Sequence, residues 1–312
     1  RDATFFAGVK PEYVPFRSAA AREPADLVHA CAVPTEAVRV GAELASGGVA
    51  SVVNPFFHLT LDEFYDARGR WSRVLDRYDV VLPATRVERA FFEEQGISRE
   101  KLSVLPVPVR PLPNQPKEHT RAWLEARGVH EEHVVVSATA APYAPPKGVL
   151  HLIEAARSLP EVAFLVMGGT ERSVSRVRTS VEGPIPSNVR LLGFLDEAEK
   201  VLAFNACDVF ALPSRTESFG IVYVEAQSLG KPVVACRTQV MREVCGEAGS
   251  FVEFGAVDDL AKSIHELLNQ PEQYAQASKA ARANAERFDA DTVLPRLAGI
   301  YEAALGHHGV ED

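Results

Sequence analysis

Two carboxylates, Glu217 and Glu225, stand eight positions apart in the stretch SRTESFGIVYVEAQSLGKPVVAC, residues 214–236. A polar run ends at Phe219-Gly220, helix-forming residues follow, and Gly230-Lys231-Pro232 leads into an apolar strand. A helix starting at Phe219 or Gly220 offers free backbone N–H groups and the positive end of its dipole to an anion. Gly220 has no side chain to hold a phosphate away, so the amides of residues 219–222 are a candidate diphosphate site. Glu217 precedes the helix and points past such a phosphate toward whatever it carries. Glu225, one to two turns in, is placed to accept a pair of hydrogen bonds from vicinal hydroxyls, which a ribose beside a diphosphate presents. Two other readings fit the same pair. Glu217 can be a dipole-favoured acid with Glu225 solvated, or the two can converge on a glycosidic bond as an acid pair. An anion-seeking helix start suits the glycosidase reading least.

The elements that must position these groups follow a regular rhythm. Strand-length apolar runs at 26–33, 49–54, 79–85 and 101–107 alternate with helical patterns at 35–46 and 61–77. Five prolines within eleven positions then break the pattern in PVPVRPLPNQPKE, residues 106–118, because proline continues neither a helix nor a central strand. Strands are expected again at 133–139, 162–168, 188–193, 208–213 and 232–236, with helices at 148–159, 198–206 and 219–230, and helical segments to the end. This alternation predicts βαβ units with parallel sheets, in two tandem α/β domains. Ligands of open α/β sheets bind beyond the carboxyl ends of the strands. That rule draws attention to His58, Lys147 and Gly168-Gly169, each just past a strand. Trp71 and Trp123 fit amphipathic packing faces and receive no chemical role.

Composition narrows the function classes. The 312 residues are 46% hydrophobic and 24% charged, ordinary for a folded protein. A formal charge of -9 argues against a general nucleic-acid binder, which needs a basic footprint. Cys31, Cys207, Cys236 and Cys245 are widely spaced without a CxxC pair, which predicts reduced thiols and a cytoplasmic protein. No apolar run has the length of an integral membrane segment. The chain opens RDATFFAGVK, without Met, which predicts a trimmed or partial N-terminus.

PSRTESFGIVYVEAQSLGKPVVA closely resembles the E-x7-E signature of the retaining GT-B glycosyltransferases of glycosyltransferase family 4. NVRLLGFLDEAEKVLAFNACDVFALPS resembles the run that precedes the signature in that family. The resemblance covers nearly the whole chain after residue 25 and is strongest from 147 to 260. It implies an α/β protein of the GT-B fold, with two Rossmann-like domains whose parallel sheets face each other across a cleft. Residues 1–110 would form the acceptor domain and 111–290 the donor domain, with a C-terminal helix at 291–306 packing back on the first. It further implies a hexosyltransferase that moves a sugar from a nucleoside-diphosphate sugar, UDP before GDP, to an acceptor hydroxyl with retention. The acceptor class stays open among small molecules, glycans and lipid-linked acceptors. No metal and no cofactor are expected, and in the front-face mechanism the leaving diphosphate helps to deprotonate the acceptor.

Carried over by position, Glu217 matches the first acid of the motif, near the donor sugar. Ser218, Phe219, Gly220 and Ile221 match the positions whose backbone meets sugar and phosphates, and Glu225 matches the ribose-binding acid. Lys147 matches the lysine that neutralises the diphosphate as the sugar departs. His58 matches the histidine that contacts the transferred sugar, and Phe194 a position whose backbone reads the base. Two features depart from the family. TAAPYAPPKG has Ala and Pro where the family has a Gly-Arg pair, and no arginine lies between Val135 and Lys147. Arg172 and Arg215 are the candidates to replace that cation. The family's opening strand and Gly-Gly loop are also not found, so the first domain is expected to be incomplete or reduced. Other enzymes of the same fold, an epimerase or a sugar-phosphate synthase, stay open, as does a nucleotide-sugar-binding protein with weakened turnover.

Overall fold

The computed structural model describes residues 25–33, 35–58 and 69–308. Within them the alternation of strands and helices builds two α/β units. The first has strands β1 (Leu27–Cys31), β2 (Ala50–Asn54) and β3 (Val80–Val81), paired in parallel in that order. Its helices are α1 (Glu36–Ser46), α2 (Arg70–Leu75) and α3 (Arg86–Glu94). Thr35 and Thr85, both extended, accept the N–H of Val38 and of Glu88 and so fix the starts of α1 and α3. Of the helix expected at 61–77, residues 61–68 lie outside the described residues.

The strand expected at 101–107 shrinks to a single pairing of Leu102 with Val81. Ser103 N–H still donates to Val81 O at 3.0 Å, and Leu105 N–H to Pro83 O at 2.9 Å, so the chain runs alongside the sheet. Pro83, Pro106 and Pro108 have no N–H to return, and the ladder stops. The same proline at 83 limits β3 to two residues where 79–85 was expected.

The second unit follows helix α4 (Lys117–Glu125). Its six strands are β4 (His133–Ala138), β5 (Val162–Met167), β6 (Val189–Gly193), β7 (Val209–Leu212), β8 (Val233–Cys236) and β9 (Gly249–Val252). They lie in the order β6-β5-β4-β7-β8-β9, all parallel. β9 was not among the expected strands, because GSFV is short and opens with two residues that carry no apolar signal. The connecting helices are α5 (Val149–Ala156), α6 (Glu171–Ser180), α7 (Glu197–Ala206), α8 (Ile221–Ser228) and α9 (Gln239–Cys245). α10 (Val257–Asn269) and α11 (Pro271–Glu286) close the unit. Every residue of β5 and β7 is buried, as expected of parallel strands covered on both faces. The strand order reverses between β4 and β7, so the loops leaving them diverge and open a crevice at their carboxyl ends.

The chain crosses between the units twice, at Val109 and at 288–290. Val109 N–H donates to Phe288 O at 2.7 Å, and Ala290 N–H donates back to Val109 O at 3.1 Å. Helix α12 (Ala290–His308) then returns to the first sheet. Adjacent β2 residues point to opposite faces, and each face has its own core. Val53 packs with Val38, Phe57, Leu75, Tyr78 and Phe92, whereas Val52 packs with Leu82, Leu105 and the α12 residues Val293, Leu297 and Ala304. A hydrogen-bond chain also ties α12 to the sheet. Asn54 Nδ2 donates to Leu82 O, so its Oδ1 accepts the Nε2–H of His29, and the remaining His29 Nδ1 takes the Tyr301 hydroxyl. Among the described residues no helix is long and apolar enough to cross a membrane.

Candidate active site

The loops after β4 and β7 meet at the crevice. After β4 the chain makes a short turn, Pro145–Lys147, and Gly148 then takes the left-handed backbone at φ 71°. A Cβ there would lie 2.3 Å from Pro213 O in the loop after β7, so only glycine allows the two loops to touch. Arg215 N–H seals the contact by donating to Pro146 O at 3.0 Å. This junction fixes Lys147 over the segment that leads into α8. Its Nζ donates to Glu217 Oε1 at 2.8 Å and to Thr216 O at 2.9 Å. With side chains only 19% and 11% exposed, Lys147 and Glu217 form a largely desolvated ion pair.

Gly220 precedes α8 at φ 87° and packs against Tyr223 and Met241, while Phe219 is buried edge-on against Phe288. These anchors hold the helix start still. Ser218, Gly220 and Ile221 face a hollow of about 330 Å3 together with Lys147 and Glu217. Phe56 and Val107 close it from the other side. Phe56 takes a left-handed backbone at φ 49°, rare for a bulky residue and found where surroundings impose it. His58, two positions on, is close enough for both charges of the pair to act on it. Burial and the Lys147 ammonium lower its pKa, and Glu217 partly offsets them. The imidazole is therefore neutral at pH 7.

A second hollow of about 450 Å3 shares Thr139, Ala140 and Val222 with the first, so the two form one cleft. Gly168, Gly169, Thr170, Phe194 and Lys200 line it. Phe194 is 79% exposed on the wall of this hollow. Glu225 lies on the second turn of α8, where its Oε1 accepts from Lys200 Nζ at 2.8 Å. Burial pushes the Glu225 carboxyl up, and Lys200 pulls it part of the way back.

The structure thus brings Lys147, Glu217 and the start of α8 together, sets His58 within range of the charges of Lys147 and Glu217, and places Phe194 along the same cleft. Neither of the two candidate arginines is among the residues that line these two hollows. Arg172 is exposed on the first turn of α6, outside the lining of both hollows. Arg215 stacks over the Phe254 ring at 4.8 Å. Two further residues gave no sequence signal. Lys200 is a second lysine on the cleft wall. Glu88, fully buried on α3, accepts the N–H of Phe57 at 2.7 Å and of Ala84 at 2.6 Å, and so ties the loop of Phe56 and His58 to the loop after β3. Among the described residues no three His, Cys, Asp or Glu side chains cluster as a metal site.

Two parallel α/β units, with a crevice at the strand-order reversal of one and lined from the other, define the GT-B class of glycosyltransferases. The solved structure of HepE from Anabaena in complex with UDP and glucose superposes with a TM-score of 0.77 at 24% identity, over 92% of this chain and 79% of that one. Sucrose-phosphate synthase from Thermosynechococcus elongatus gives 0.79 at 18% identity, over 94% and 77%. At such identities the likeness speaks for the fold. Residues 126–284 match the family model described as glycosyl transferases group 1, and the chain belongs to that family. It is 31% identical over 169 residues to the phosphatidyl-myo-inositol mannosyltransferase of Mycolicibacterium smegmatis, covering 52% of this chain and 43% of the relative. It is 35% identical over 156 residues to the GDP-mannose-dependent monoacylated alpha-(1-6)-phosphatidylinositol monomannoside mannosyltransferase of Corynebacterium glutamicum, covering 46% and 40%. The matches therefore span less than half the length of these relatives.

Proposed function

We propose that this protein is a retaining hexosyltransferase that moves a sugar from a nucleoside-diphosphate sugar, UDP-linked as the first reading, to an acceptor hydroxyl without a metal ion. The observation that carries the proposal is the Lys147–Glu217 pair facing the start of α8 across one hollow, with His58 within range of both charges. The Lys147 ammonium and the amides of residues 219–222 meet the diphosphate, where negative charge grows as the sugar leaves. Glu217 and the neutral His58 hold hydroxyls of the sugar. The acceptor oxygen bonds to the anomeric carbon on the face from which the β-phosphate oxygen departs, and the acceptor proton passes to that phosphate oxygen. An incoming diphosphate competes with Glu217 for Lys147, which frees the carboxylate for the sugar. The four free thiols fit a reaction in the cytoplasm.

A GDP-linked donor is the second reading, favoured by the GDP-mannose in the name of the Corynebacterium glutamicum relative. Calorimetric titration with UDP and with GDP, each with EDTA and with Mg2+, separates the two. Binding of one nucleotide, unchanged by EDTA, is the expected result and names the donor class. Binding of neither removes the nucleotide-sugar reading.

A further inference from the structure

Lys200 stands on the first turn of α7, and its side chain spans the gap to α8. Its ammonium lies 2.8 Å from Glu225 Oε1 and 3.0 Å from Glu197 Oε1. The two contacts differ in kind. Glu197 is solvent-exposed, and an exposed pair at helical spacing contributes little. Glu225 is 12% exposed, so the loss of its partner would leave a charge stranded inside the protein. Burial alone would lower the Lys200 pKa, yet Glu225 and Glu197 together hold it above its ordinary value. The same side chain lines the hollow of Gly168, Thr170 and Phe194. It is therefore placed between the inner carboxylate of the motif and the far end of the cleft from Lys147.

A carboxylate has room for several donors on its two oxygens, so Lys200 on Oε1 leaves acceptor capacity for two hydroxyls. What it restricts is the orientation of the carboxylate plane. We propose that Lys200 is a positioning residue which locks Glu225 into the orientation that receives both hydroxyls of a ribose, and so sets a preference for ribonucleotides. This rests on the nucleotide-sugar reading given above. Lys200 is in this view no replacement for the arginine that family members carry at the diphosphate, because both of its recorded partners are carboxylates on the α7–α8 side.

The test is titration of the wild-type chain and of K200M, K200Q and K200R with UDP and GDP and with their 2',3'-dideoxy forms. For the nucleotide that binds, the wild type should favour the ribose form by about tenfold or more. K200M and K200Q should weaken the ribose form by about tenfold and the dideoxy form by less than about twofold, which collapses the preference. K200R, which keeps the cation, should restore part of it. Equal weakening of both forms would assign Lys200 to the phosphates and overturn the proposal, as would an unchanged preference. A wild type that binds the nucleotide without ribose preference overturns this inference alone. A wild type that binds neither UDP nor GDP overturns the nucleotide reading as well. Circular dichroism melts of all variants check that they are folded.

Discussion

Glu88 combines two demands that seldom coincide in one side chain. It is 1% exposed and accepts two backbone N–H groups from loops at the cleft. Burial pushes its carboxyl up to about 7, although both hydrogen bonds pull the other way. With the folded pKa raised above the unfolded one, the folded chain binds the extra proton between about pH 4.5 and 7. This group's contribution to stability is therefore greatest below that window and falls as pH rises through it, by on the order of 3 kcal/mol. His29, His58 and His151 all have lowered pKa values and act in the opposite direction, so a variant is needed to isolate Glu88. The melting temperature of E88Q relative to wild type should rise between pH 5 and pH 8. A flat difference would show that Glu88 does not titrate there. Lys147, Glu217 and His58 could be singled out in the sequence because each follows a strand-length apolar run. Glu88 and Lys200 were not, because each acts on a group 31 or 25 positions away, and only folding reveals that neighbour.

At the scale of elements, the meeting of the β4 and β7 loops decides whether the cleft exists. Gly148 makes that meeting possible on two counts, its backbone conformation and its approach to Pro213. Gly148→Ala should cost about 1–3 kcal/mol through strain and overpacking. It should also weaken nucleotide binding several-fold, because Lys147 is the residue displaced. A melt and a titration on the same sample check both, and unchanged affinity would separate Lys147 from the donor site. The sequence located most strands to within one or two residues, since buried parallel strands are continuous apolar runs. It failed at 101–107, where the apolar residues are present but Pro106 in the run, Pro108 just after it and Pro83 on the adjacent segment withhold the N–H groups a ladder needs. It also merged Gly220 into the helix, whereas α8 starts at Ile221 and leaves the glycine outside as its cap.

At the scale of the molecule, the units are joined by more than their linkers. Glu243 on α9 accepts the N–H of Arg86 at 2.8 Å and of Val87 at 3.2 Å, so one unit caps a helix of the other. That helix is α3, which carries Glu88. Carboxylates thus link α9 to the loop of His58 in two steps. Glu243→Ala should cost about 1 kcal/mol as a lost cap. It should leave nucleotide affinity unchanged while turnover falls several-fold, because the first unit loses its register over the donor. Parallel losses in affinity and turnover would contradict this coupling. The return of α12 to the first sheet has a further consequence during synthesis. Domains are generally completed in the order in which they leave the ribosome, but this chain cannot follow that order. The core on the face of β2 that bears Val52, begun by Leu82 and Leu105, lacks its α12 side until Val293, Leu297 and Ala304 have been translated, by which time the whole second unit has been synthesised. The earlier-made half is thus the later to finish, and the α12 side of its core is the surface a nascent-chain chaperone would have to shield.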